Sequence, residues 1–194
     1  MSLEHASEQP YTTRSSRELA RSGRFALVVD EIDMPDGSHH QNRWFRATSA
    51  AFIVPVFDDL TTVLVRQWRH PWRETSWEVP AGTLEEGEEP LDGARRELEE
   101  EAGLLAGGWE PLGVLRPSAL LDARQFLFLA RDLRAVSRAP ERYEADMITR
   151  RLPLAEAVEE ALAGGIAHAT AVSALCRAAW RLGRLAAQGE GGQV

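Results

Sequence analysis

Cysteine is nearly missing from this chain: its 194 residues include one, Cys176, which excludes an intramolecular disulfide and with it a disulfide-stapled scaffold. Long apolar runs are missing too. No stretch approaches the roughly 20 apolar residues that a membrane-spanning helix needs, and the first residues lack the apolar core and small-residue cleavage site of a secretory signal. Positive charge is the minority sign, with 22 Lys and Arg against 30 Asp and Glu and a formal net charge of −8. That balance disfavours nonspecific attraction to nucleic acid or anionic lipid. The expectation is a cytoplasmic protein with a small-molecule partner, no nucleic acid and no membrane. Net acidity still permits an anionic substrate, because divalent cations gathered by clustered carboxylates reverse the sign locally. With 44% hydrophobic positions, the chain is long enough to close one sizeable core and too short for two ordinary domains.

Patterning along the chain divides it into a polar N-terminal arm over 1–22, a hairpin subdomain over 23–47, a main domain over 48–187 and a flexible tail over 188–194. The arm carries no sustained period. Phe25 to Met34 is rich in β-formers, Pro35-Asp36-Gly37 supplies turn chemistry, and His39 to Ala47 returns as the second arm of a long hairpin. Ala50 to Val56 and Thr61 to Gln67 flank the short acidic link Phe57 to Leu60 and suggest a second hairpin. Further strands are expected at Trp77 to Val79, Glu110 to Leu115, Gln125 to Ala130 and Met147 to Leu152. Helices are expected at Leu154 to Ala163 and at His168 to about Ala187. The strongest helix runs from Pro90 to Ala102, with proline in its first turn and Gly103 just past its end. Gly93 inside it costs about 1 kcal/mol relative to alanine. Strands interleaved with a few helices predict an α/β fold, a sandwich on a mixed sheet.

On the Pro90 to Ala102 helix, successive residues rotate by about 100°, so Glu97, Glu100 and Glu101 share one face. Leu91, Ala94, Leu98 and Ala102 form a neighbouring apolar stripe that can anchor the helix on a sheet. Three converging carboxylates repel one another, and a hard cation relieves that repulsion. Magnesium prefers oxygen ligands and suits such a face better than a nitrogen- or sulfur-rich zinc site would. An arbitrary acidic run is more often a solvated face; the surrounding spacing decides otherwise here. Gly82, Glu88, Arg96, Glu97, Glu100, Glu101 and Gly103 stand in the order G-x(5)-E-x(7)-R-E-U-x-E-E-x-G-U, with Leu98 and Leu104 at the aliphatic positions. A chance match of seven fixed residues is on the order of 10⁻⁵ or rarer at ordinary residue frequencies.

This pattern resembles the Nudix box, and the chain is identified by it as similar to Nudix hydrolases. The resemblance implies a Nudix-type α/β/α sandwich with a mixed sheet and an N-terminal β-hairpin subdomain. It implies that Glu97, Glu100 and Glu101, with the carbonyl of Ala81, hold Mg2+ or Mn2+. Arg96 would orient the box carboxylates, and Glu88 would be a partner in its loop. The cations would neutralise a pyrophosphate and lower the pKa of a bound water.

Outside the box, Val65 to Arg69 and Trp77 to Gly82 resemble the branch that cleaves ADP-ribose and nucleoside diphosphate sugars. The hairpin Phe25 to Ala47 and the segment Glu144 to Met147 also resemble that branch. On this resemblance Arg69 would contact phosphate or the terminal ribose, and Glu78 would bind substrate as well. Glu144 would be the loop carboxylate that binds metal or acts as general base, with Glu141 and Asp146 as competitors. Trp68, Trp72 and Trp77 interleave with Arg66, Arg69 and Arg73 and could build a stacking wall. Phe25 would stack on the base across a homodimer. Two departures leave the base open. Ala119 to Arg124 replaces the branch's proline, glycine, aromatic and acidic pair, and Asn42-Arg43 stands where the branch often has Arg-Glu. Another Nudix activity, on dinucleoside polyphosphates or coenzyme A, and a noncatalytic ligand-sensing domain are the alternatives. His39, His40, His70 and His168 show no metal-ligand spacing, and Cys176 is expected in the core.

Overall fold

The computed structural model describes residues 8–137 and 147–185. Glu141, Glu144 and Asp146 lie outside the described residues. In chain order the elements are β1 (Thr12–Ser22), β2 (Phe25–Asp33), β3 (His39–Arg46), β4 (Ala50–Pro55), β5 (Thr61–Arg69), β6 (Glu74–Glu78), β7 (Ala81–Thr83), α1 (Pro90–Ala102), β8 (Leu104–Leu115), β9 (Leu121–Asp122), β10 (Gln125–Ala135), β11 (Ile148–Pro153), α2 (Leu154–Ala163) and α3 (Ala169–Arg181). They belong to two compact units, one within Met1–Thr48 and Ser118–Ala123, the other within Ser49–Pro117 and Arg124–Val194.

The first unit is a sheet in the order β1-β2-β3-β9. The hairpin β2-β3 turns where the sequence indicated. Gly37 takes a φ of 84°, open to glycine at no steric cost, and Asp36 accepts the Ser38 N–H at 2.9 Å in an Asx-type turn. Ala26, Val28, Val29 and Ile32 of β2 are buried. The polar arm expected over 1–22 needs correcting, because Thr12–Ser22 is a strand paired antiparallel to β2. All eleven of its residues are exposed. A strand with neither face buried carries no apolar alternation, which is why composition hid it.

In the second unit, β7-β4-β10-β8 form a mixed sheet, with β4 and β10 parallel, and β11-β5-β6 form an antiparallel one. Alternation along β4 and β10 puts a helix layer on each face. Ala51, Ile53, Phe128 and Ala130 pack with Ala94 and Leu98 of α1. Phe52, Val54, Leu127 and Leu129 pack with the α2 and α3 stripe of Leu154, Ala157, Val158, Ala171, Ala174, Leu175 and Ala178. The α/β fold and its mixed sheet are as expected. The second hairpin is not: β4 and β5 lie in different sheets, and the turn between them carries the isolated antiparallel bridge Val56 to Thr62. Both are short buried runs with a tight link, and such runs do not name their neighbours. Cys176 is half-buried rather than in the core, and burial pushes its thiol pKa up. Among the described residues no helix is long and apolar enough to cross a membrane.

Candidate functional site

Helix α1 is built to hold its polar face steady. Pro90 occupies its first turn, and Gly103 closes it in the left-handed conformation, φ 63°, donating its N–H to the Glu99 carbonyl at 3.0 Å. Ala94 and Leu98, both fully buried, clamp it to the sheet. Burying a leucine contributes about 1.5–3 kcal/mol, so the register of the opposite side chains is set by a core contact.

Beside this stripe the structure brings the box residues together. Arg96 donates through Nε and Nη2 to both Glu88 oxygens at 3.1 Å, through Nη1 to Glu97 at 2.6 Å and Glu100 at 3.1 Å, and through Nη2 to the Thr83 carbonyl at 3.2 Å. The guanidinium beside Glu88 holds that carboxyl below its ordinary value, and the hydrogen bonds to Glu88 raise the Arg96 pKa further. Glu88 also accepts the Glu85 N–H at 2.8 Å, which closes the loop ahead of α1. Glu101 is almost completely buried and accepts the Ala81 N–H at 2.8 Å. Gly82 follows at once, and a Cβ there would run into the Glu97 carboxylate. The glycine of the box is thus a place where backbone and carboxylate must touch. Gly93 has a comparable reason: a Cβ would meet Leu84 and Glu88. In the sequence Gly93 reads only as a propensity cost, since close approach of another element leaves no local signal.

Glu97, Glu100 and Glu101 with the backbone at Ala81 make an all-oxygen donor set, which fits a hard divalent cation. Among the described residues no three acidic, histidine or cysteine side chains are already drawn into a cage. Lone pairs of Glu97 and Glu100 are engaged by Arg96. The guanidinium contacts one oxygen of each, Oε1 of Glu97 and Oε2 of Glu100, and so orients both side chains.

Three residues before Ala81, at the end of β6, the Glu78 side chain is fully buried. Arg69, at the end of β5, forks onto it through Nε at 2.7 Å and Nη2 at 2.5 Å. A bidentate guanidinium is what a buried carboxylate requires, and along the chain a short link joins Glu78 to Ala81, whose amide Glu101 accepts. Trp72 is 44% exposed and packs on the His168 ring at 5.8 Å between centroids. His168, without metal-ligand spacing in the sequence, is set by the fold against Glu78 at 3.8 Å. Its position at the start of α3 was the available signal. Trp77 meets Arg66 face-on at 5.7 Å, whereas Trp68 is 54% exposed. The stacking wall imagined from all three tryptophans is not assembled by these contacts. Phe25 belongs to the first unit and is 61% exposed.

Comparison with known proteins agrees with this geometry. The NUDIX domain model matches residues 46–172. An ADP-ribose pyrophosphatase of Mycobacterium tuberculosis is 36% identical over 170 residues, covering 86% of this chain and 82% of that protein. An ADP-ribose pyrophosphatase of Bacillus subtilis is 32% identical over 135 residues, covering 69% and 73%. The crystal structure of an ADP compounds hydrolase superposes with a TM-score of 0.80 at 26% identity, covering 93% of this chain and 100% of that one. With its box residues gathered on and around α1 and its domain matched over most of the chain, this protein belongs to the Nudix family of hydrolases.

Proposed function

We propose that the protein is a pyrophosphohydrolase that cleaves ADP-ribose, or a related nucleoside diphosphate sugar, into a nucleoside monophosphate and a sugar phosphate. The observation that carries this reading is the placement of two sites on one short segment: Arg69 on Glu78, and the Ala81 amide on Glu101. One can grip an anionic or ribosyl group while the other serves the scissile phosphoanhydride. The relatives named above supply the substrate class.

In this reading Glu97, Glu100 and Glu101, with the Ala81 carbonyl and Glu144, hold Mg2+ or Mn2+. The bound cation would neutralise the pyrophosphate and acidify a water. Arg96 orients the box carboxylates. Glu144, as general base, takes a proton from the attacking water. Arg69, Glu78 and Trp72 position the substrate, and Phe25 stacks on the base from the partner subunit of a homodimer. Exposed Leu19, Phe25 and Phe45 in the first unit, together with the uncovered edge of β1, support the dimer, since such edges call for cover. The reaction is placed in the cytoplasm, where the single cysteine stays reduced.

The test is a substrate panel with magnesium: ADP-ribose, other nucleoside diphosphate sugars, dinucleoside polyphosphates and coenzyme A. Release of AMP and ribose 5-phosphate is expected to be fastest. Preference for a dinucleoside polyphosphate or coenzyme A overturns the substrate, and no hydrolysis of any member overturns the enzyme reading.

A further inference from the structure

His168 sits at the start of α3 with its ring flanked by Phe52 and Trp72, at 5.4 and 5.8 Å between centroids. Its Nδ1 accepts the Ala171 N–H at 3.4 Å, the N-cap contact of the helix. A ring nitrogen that accepts carries no proton, so the neutral imidazole keeps its hydrogen on Nε2. That nitrogen stands 3.8 Å from Oε2 of Glu78, the oxygen that also takes Nη2–H of Arg69. The separation exceeds a hydrogen bond, so the imidazole acts as an oriented dipole and a wall beside a fully buried carboxylate. The groups that meet the ring are Glu78 from β6, Arg69 from β5, Phe52 from β4 and Trp72 from the turn that follows β5. Burial holds the imidazole pKa below its ordinary value, with Arg69 adding to the shift and Glu78 opposing it. Phe52 is also the strand partner of Ala81 in the β4-β7 pairing. The imidazole therefore adjoins the segment that carries both halves of the site.

We propose that His168 is a positioning residue for substrate binding, holding the Glu78 carboxylate so that Arg69 keeps a fixed plane toward the phosphate or ribose. This rests on the reading of Arg69 as a substrate contact. It also separates two duties of one side chain, capping α3 and facing Glu78. Asparagine is a strong N-cap residue, so His168→Asn keeps the first duty and removes the second, whereas His168→Ala removes both.

The expected result is a lowered melting temperature in His168→Ala that His168→Asn largely restores. Both variants should raise KM for ADP-ribose on the order of tenfold with kcat within about twofold, as for lost ground-state binding. A wild-type KM in His168→Asn would show that the histidine only caps the helix and would overturn the proposal. A second readout does not depend on turnover: the Nε–H proton resonance of Arg69, identified by its loss in Arg69→Lys. It should be sharp and slow to exchange in the wild type and broadened in His168→Asn. An unchanged resonance overturns the positioning role even where no nucleotide sugar is hydrolysed, an outcome that by itself would sink only the substrate reading.

Discussion

At the scale of single residues, the site depends on what each side chain must touch. The chain contains no lysine, so every permanent side-chain cation is a planar fork, and Arg96 uses that shape to reach Glu88, Glu97, Glu100 and the Thr83 carbonyl together. Glu101→Gln keeps shape and removes a charge at a position tied to the Ala81 amide. Turnover is expected to fall by two or more orders of magnitude, roughly the scale of losing a major electrostatic contribution, with circular dichroism and melting close to wild type. Near-normal turnover at saturating magnesium would refute a metal role for Glu101. His168 adds a pH dependence. Its folded pKa lies below the ordinary 6.5, so the unfolded state binds the proton more readily. The contribution to stability is present above pH 6.5 and is lost as pH falls through that value toward the lower folded pKa. Between pH 7.5 and 5.5 the wild type should therefore lose more stability than His168→Asn in urea titrations. Equal losses would mean that the imidazole is not kept neutral by the fold.

At the scale of elements, α1 reconciles a propensity cost with a packing demand. Replacing a helical glycine by alanine ordinarily gains about 1 kcal/mol, but at Gly93 the new methyl would press on Leu84, itself buried in the core, and on Glu88. Overpacking of this kind costs about 1–3 kcal/mol, so Gly93→Ala should lower the melting temperature, and a rise would show that Leu84 repacks freely. The same helix should couple cation binding to stability. A ligand that binds only the folded state adds about 2.7 kcal/mol at a hundredfold excess over Kd. Magnesium should therefore raise the melting temperature at neutral pH and raise it less at mildly acidic pH, where protonated carboxylates bind it poorly. In Glu97→Gln/Glu101→Gln the magnesium shift should vanish; an equal shift in both proteins would place the cation elsewhere.

For the whole molecule, the proposed dimer rests on the surface of the first unit. β1 is exposed along its whole length, and Phe25 and Phe45 are 61% and 48% exposed. Light scattering should give twice the mass of the chain at micromolar concentration, and Phe25→Asp/Phe45→Asp should give the monomer mass. A wild-type monomer under these conditions would overturn the dimer and, with it, the role of Phe25 across an interface.

The sequence by itself determined the parts whose causes are local. Proline and glycine bracket α1, a turn of Pro35-Asp36-Gly37 joins β2 to β3, and the 3.6-residue period fixes which helical positions share a face, so helix and hairpin were legible in residue spacing. What tertiary structure alone decided are the meetings of residues far apart in the chain. That β4 pairs with β10 and not β5, that Glu78 is buried under Arg69, that Gly82 abuts Glu97, and that His168 faces Glu78 all depend on which surfaces pack together. A buried strand carries the same apolar run whichever neighbour it takes, and an exposed one such as β1 carries none. A histidine reads alike whether it merely caps a helix or also faces a buried carboxylate, because the second contact is made by β6, ninety residues earlier in the chain.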